Sequence, residues 1–171
     1  MVGTHVDRRY ARGGVYGVVV HEATHIREQQ FAYLGSTAPV AFVGVDGAVV
    51  RFNTIYLPER WALRILQETT ASGFVPCREG QFTDNLIAFH SNLWASGGVN
   101  VGPDTAPATF QFSRNWWYCV DDPTRSRPTL PTTENAGVHG QSPRFRDAAN
   151  GDLRQAPERP ARLMGDDALP E

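Results

Sequence analysis

Lysine is absent from the chain; all 16 basic residues are arginine. No lysine is therefore on hand as a general base, a Schiff-base former or a phosphate ligand. A GC-rich coding sequence produces the same bias without any demand for guanidinium chemistry. Cysteine is scarce as well. Cys77 and Cys119 cannot build the disulfide framework of a small secreted domain, and on neighbouring repeats they read as single thiols of a core. No stretch approaches the roughly 20 apolar residues of a membrane span. The opening segment is polar and arginine-rich, and without an apolar h-region it does not read as a signal peptide. A net charge of −2 leaves no basic footprint for nucleic acid.

What is present suffices for one folded domain. The chain has 171 residues, 41% hydrophobic and 20% charged, the balance of a globular protein with a core. Its organising stretch is V-V-R-F-N-T-I-Y-L at 49–57. Around Asn53 stand an apolar residue three before, Val50, and another two after, Ile55. The frame returns as Phe82, Asn85, Ile87 and as Phe112, Asn115, Trp117. With glutamine in place of asparagine it also fits Ile26, Gln29, Phe31. The amides at 29, 53, 85 and 115 are separated by 24, 32 and 30 residues.

The step between the two apolar residues is odd, so a straight strand would send them to opposite faces. A bend at the asparagine brings them to one side, and asparagine tolerates left-handed backbone. Its amide can also hydrogen-bond to the same amide one layer away. Strand, amide corner and strand at this period predict one coil of an all-β solenoid. Gln29, Asn53, Asn85 and Asn115 then form a structural ladder.

Taken in order, residues 1–14 read as an irregular lead-in, 15–120 as the coils, and 121–171 as an extended, proline-rich C-terminal tail that packs on the coils and closes them. The lead-in does not read as the cover an end coil needs. Further N-terminal coils or another chain are expected to cover that end. Short β-rich runs follow each corner: Y-G-V-V-V-H-E-A (16–23), P-V-A-F-V-G (39–44), W-A-L-R-I-L-Q (61–67) and G-V-N-V-G (98–102). Their inward sets are Val18 and Val20, Val40 and Phe42, Leu63 and Ile65, Val99 and Val101. His21, Ala41, Arg64 and Asn100 then point outward on successive coils. In the tail, 137–140 reads as one more short strand, and 145–147 can pair with 151–154.

The strings R-F-N-T-I (51–55), F-T-D-N-L-I (82–87) and F-S-R-N-W-W-Y (112–118) resemble the right-handed parallel β-helix family, the pectin-lyase-like fold. The ending at 143–165 is similar to that of bacterial members, which carry a small residue where this chain has Arg159. The resemblance spans roughly residues 14–165 and implies a right-handed parallel β-helix of about five coils, here its C-terminal portion. It also implies a secreted or envelope-associated protein that handles polysaccharide by elimination, hydrolysis or binding alone. Such proteins work on an outward stripe of one sheet, often with calcium. No active-site motif of the family carries over, and no catalytic residue is assigned.

A competing string is H-E-A-T-H at 21–25. On a helix, His21 and His25 share a face and can bind one zinc, with Glu22 as general base. On a strand the two imidazoles sit about 13 Å apart, at roughly 3.3 Å per residue, and cannot share a metal. The preceding Val18-Val19-Val20 favours strand, and no third ligand is evident.

For a polysaccharide, Arg64, Asn100 and His21 form the candidate face, on which arginine would neutralise a uronate carboxylate. The plain alternative is a solvated strand face. Glu68 follows closely enough to pair with Arg64 on the surface or to act as a base. Trp61 and Trp94 can stack on sugar rings or cover loops, whereas Trp117 falls at a core position. Asp104 and Asp121-Asp122 read as calcium oxygens or, more simply, as turns. No cofactor follows from the residues themselves. A third possibility is a non-catalytic structural or adhesive module.

Overall fold

The fold follows from a rotation among three parallel sheets. The computed structural model describes residues 18–20, 25–27, 30–32, 37–93 and 95–156, with backbone alone for the first three segments and at 93, 95 and 96. The first sheet is ordered β1 (Val18–Val20), β4 (Val40–Val43), β7 (Leu63–Leu66), β10 (Val99–Val101). The second runs β2 (His25–Arg27), β5 (Val49–Arg51), β8 (Gln81–Thr83), β11 (Gln111–Ser113). The third runs β3 (Gln30–Ala32), β6 (Thr54–Tyr56), β9 (Leu86–Phe89), β12 (Trp116–Cys119), β13 (Val138–His139). The chain thus visits each sheet in turn, and every strand in the three pairs in parallel with its counterpart one turn away. This all-β order is the one a solenoid requires.

The register matches the sequence frame residue for residue. Ile26, Val50, Phe82 and Phe112 align across the second sheet. Phe31, Ile55, Ile87 and Trp117 align across the third. Val50, Ile55, Phe82, Ile87 and Trp117 are fully buried, as are Val40, Phe42, Leu63 and Ile65 on the first sheet. Each such side chain contributes roughly 1.5–3 kcal/mol. Phe110 fills the corner between turns, meeting Phe42 edge-on at 5.2 Å. Its ring leaves no room for a side chain at Gly80, where a Cβ would fall 2.2 Å from a ring carbon. Both cysteines are buried free thiols, and burial pushes each of them up from its ordinary pKa. The expected inward Val101 is instead 41% exposed. Its strand ends the first sheet, so no further strand covers it.

The corners differ from expectation in one respect. The left-handed residue is the one before each asparagine: Phe52 (φ 59°), Asp84 (φ 58°) and Arg114 (φ 54°). The asparagine keeps ordinary backbone and uses its amide to bind turns together. Asn85 Oδ1 accepts from the Asn53 backbone N–H (3.0 Å) and from Asn53 Nδ2 (2.9 Å). Asn115 Oδ1 accepts from the Asn85 N–H (2.9 Å) and Nδ2 (3.1 Å). Asn85 Nδ2 also donates to the Val50 carbonyl, and Asn115 Nδ2 to the Phe82 carbonyl. Left-handed non-glycine backbone costs about 1–3 kcal/mol per residue, and these buried bonds hold it in place. Asp84 and Arg114 also stack at this corner as a bidentate pair, 2.6 and 2.7 Å. Gln29 lies outside the described residues, as do the lead-in 1–14 and the ending 157–171.

A fifth pass closes the stack. Ser113 bridges to Asn135, while Trp116 and Trp117 align with Val138 and His139. That register sets Glu134 over Phe112, Gly137 over Asn115 and His139 over Trp117. Ala136 supplies the left-handed residue, φ 55°. The asparagine seat is taken by the Glu134 carboxylate, whose side chain is only 6% exposed. Glu134 Oε1 accepts from the Asn115 N–H (3.2 Å) and Nδ2 (2.8 Å), and Oε2 from Trp117 Nε1 (2.9 Å). A side chain at 137 would displace the carboxylate, because a Cβ there would fall 2.4 Å from Oε2. On the first sheet's side, Thr129 donates to the Gly97 carbonyl, while Pro128 and Pro131 offer no donor and Leu130 packs on the core.

The tail covers the outer face of the third sheet, which is apolar. Leu86, Ala88 and Trp116 there pack with Tyr56, Tyr118, Val138 and Phe145. Phe145 meets Tyr56 edge-on at 5.5 Å, and Trp116 Nε1 donates to the Gln141 carbonyl. β14 (Phe145–Asp147) and β15 (Asp152–Gln155) pair antiparallel, as the sequence suggested. Among the described residues, no helix is long and apolar enough to cross a membrane.

Two outcomes follow. Asn85→Ala removes the acceptor for two donors of Asn53 and two donated bonds of its own, and should cost about 3 kcal/mol in urea unfolding. A change under about 0.5 kcal/mol would mean that the amide stack carries no stability. Acid should also weaken the closing turn. Burial, then the nearby Arg127 charge, push His139 below the ordinary 6.5, with Glu134 opposing. The native state therefore binds this proton less readily than the unfolded chain. The stability it contributes is full above about pH 6.5 and is lost as pH falls through the lower folded value. His139→Gln should flatten the stability profile in that window.

Candidate functional site

The outward row of the first sheet carries the polar groups the sequence singled out. Its register aligns Val19, Ala41, Arg64 and Asn100. Arg64 and Asn100 are half-buried neighbours, and Arg64 Nε donates to Asn100 Oδ1 at 3.0 Å. The alternation in β7 explains the placement: Leu63 and Ile65 fill the core, which turns Arg64 outward. Asn100 then holds the guanidinium against the strand surface, leaving its other N–H groups for a ligand.

Trp61 is not the exposed sugar platform the sequence allowed. It is 8% exposed, because its backbone N–H is tied to the Thr37 carbonyl just ahead of β7. The Arg60 guanidinium carbon lies 4.5 Å from the ring centroid and that of Arg64 lies 5.0 Å away. The indole thus anchors two cations by cation–π attraction. Arg60 was missed in the sequence reading; its place one residue before a tryptophan and four before Arg64 was the available signal. Neither arginine is in an ion pair with a carboxylate of the described residues.

The remaining candidates are not brought together. Glu68 is exposed in the loop after β7 and pairs with nothing on the face, so the surface pair with Arg64 is not formed. His21 lies outside the described residues, as does Trp94, and the position in register with Ala41 is Val19 rather than His21. His25 opens β2, while its partner in the zinc reading, His21, and Glu22 lie outside the described residues. No group of three or more metal-ligating side chains occurs among the described residues.

The aspartates read as turns. Asp121 accepts from the Ser91 N–H and hydroxyl and from Cys119 Sγ. Those bonds, the Ser91 backbone one above all, hold it well below the usual carboxylate range. Asp122 caps the turn at Pro123–Arg125 by accepting from the Thr124 N–H. Asp104 is a left-handed turn residue, φ 58°.

The face therefore offers Arg64 and Asn100 on neighbouring strands, with the Arg60 guanidinium beside them over the Trp61 ring. This chemistry suits a carboxylate or sulfate carried on an extended ligand. Comparisons with family models, with curated proteins and with solved structures each return no match. Trp61→Ala should cost about 3–5 kcal/mol, as expected for a large buried side chain. A cost below about 1 kcal/mol in thermal or urea unfolding would restore the exposed-platform reading.

Proposed function

We propose that the chain is a right-handed parallel β-helix that binds an acidic polysaccharide along the outward face of its first sheet. Arg60 and Arg64 bind uronate carboxylates and Asn100 orients Arg64. The observation that carries this reading is the pair of guanidiniums held on Trp61 and Asn100 with no carboxylate partner among the described residues. In a chain of net charge −2, two unpaired cations on one strand face favour an anionic ligand over a neutral glycan. Arg64 and Asn100 stand on neighbouring parallel strands about 4.8 Å apart, with Arg60 just ahead of β7, a row that suits an extended ligand. The face itself is suited to binding. The resemblance to pectin-lyase-like proteins supports polysaccharide as the ligand class, a secreted or envelope location, and lyase or glycosidase chemistry as an extension of the same reading.

The test is titration of the protein with oligogalacturonate and, separately, with a neutral oligoglucan. The acidic chain should bind and the neutral one should not. Arg64→Ala and Arg60→Ala should each weaken binding about tenfold, the loss of roughly one charge-assisted hydrogen bond. Affinity unchanged in both variants would remove the face from the account. Appearance of unsaturated or reducing-end products during the titration would make the protein an enzyme rather than a binding module.

A further inference from the structure

The closing turn holds a feature that stability alone does not require. Its core-facing positions carry Glu134 and His139, where the preceding turns carry apolar residues. A cleft of about 370 Å³ opens over them, lined by Arg127, Thr132, Thr133, Glu134 and His139 among others. A second, of about 320 Å³, is lined by Ser91, Gly97, Arg125 and again Arg127. Both volumes fall at the lower end of the range for small-molecule sites, roughly 300–1,000 Å³. Pro128, Leu130 and Pro131 wall the first cleft and Phe89 the second, but polar surface outweighs apolar in both, which suits a hydroxylated anion rather than an apolar ligand.

The segment that presents the two arginines is anchored on both sides. Ser126, between them, is buried, and its hydroxyl accepts from the Cys119 N–H at 2.9 Å. Asp122 caps the turn before it, and Thr129 N–H binds the Gly97 carbonyl at 2.7 Å beyond it. With Ser126 turned in, Arg125 and Arg127 stand out toward the clefts. Neither forms an ion pair or a side-chain hydrogen bond with the described residues. The acid in the first cleft is already committed: Glu134 is filled by Asn115 and Trp117 donors. The backbone that carries them is fixed, and both guanidiniums keep their donors open for an oxyanion.

We infer that the C-terminal end of the stack is a second binding site, separate from the first sheet's outer face, in which Arg125 and Arg127 take the oxyanion of a monosaccharide-sized ligand such as a hexuronate or a sugar sulfate. Thr132 and Thr133 meet the ligand's hydroxyls, and His139 forms part of the floor. Arg127 is shared by both clefts, so it is the residue on which binding turns. The Arg127 charge also depresses the His139 pKa, so an anion seated beside it relieves that effect.

The experiment follows the His139 ring signal by NMR, assigned with His139→Gln, during titration with galacturonate, with inorganic sulfate and with glucose. Galacturonate, sulfate or both should shift the signal saturably and raise the His139 pKa, and glucose should not. Tighter binding of galacturonate identifies a carboxylate ligand, and tighter binding of sulfate a sulfated one. Arg127→Gln should weaken binding about tenfold and raise the His139 pKa without ligand. Arg64→Ala should leave this binding unchanged, which separates it from the outer face. Both arginines are exposed, so the variants should keep the wild-type melting temperature. The proposal is overturned if neither anion shifts His139, if the shift survives in the Arg125→Gln/Arg127→Gln double variant, or if Arg64→Ala abolishes it.

Discussion

Everything in this structure hangs on a buried amide used in two directions at once. Asn85 gives its Oδ1 to the turn below and its Nδ2 to Asn115 above. In a water-free interior an unmade bond of this kind costs about 1–3 kcal/mol, so each turn depends on its neighbour. The loops between turns differ in length, and the repeat intervals of 24, 32 and 30 residues show it. The amides absorb that variation. They fix the register at the corner, where a slip of one residue would turn the whole inward set to solvent.

Much of this was legible in sequence because the frame couples a polar marker to two apolar positions. Val50, Phe82 and Phe112 align as the spacing implied, as do Ile55, Ile87 and Trp117. The bend was assigned to the asparagine, whereas Phe52, Asp84 and Arg114 bear the left-handed backbone. No residue preference betrays that position, since an aromatic, an acid and a base all occupy it. Of the closing turn only the short strand at 137–140 was legible, and it is β13; its place in the frame was not. That turn keeps the geometry of the frame but replaces all three markers, with Glu134, Gly137 and His139 at the sites of Phe112, Asn115 and Trp117. A search keyed on apolar residues around an amide cannot find a turn built to end the stack.

The candidate face was legible in part. Arg64 and Asn100 followed from alternation, because their neighbours had to face the core. Their mutual hydrogen bond, and the service of Trp61 to two arginines, depend on cross-strand register and on a backbone tie to Thr37 that adjacency in sequence does not reveal. The division of labour is physical. Corners are locked by amides and one outer face is covered by the tail, so the polar outer row of the first sheet keeps the freedom to vary.

The exchange of an amide for a carboxylate at the last rung also bears on growth. A stack of like turns is a template for its own extension, by further chain or by a second molecule laid end to end. Here the incoming turn would meet Glu134, a carboxylate already buried and supplied with donors from beneath, and would find hydrogen rather than an amide at Gly137. A carboxylate carries no N–H, so this rung cannot donate to a further amide as the asparagines do. Among the described residues the ladder therefore ends by a change of chemistry, an acceptor standing where a donor would be needed to carry it on.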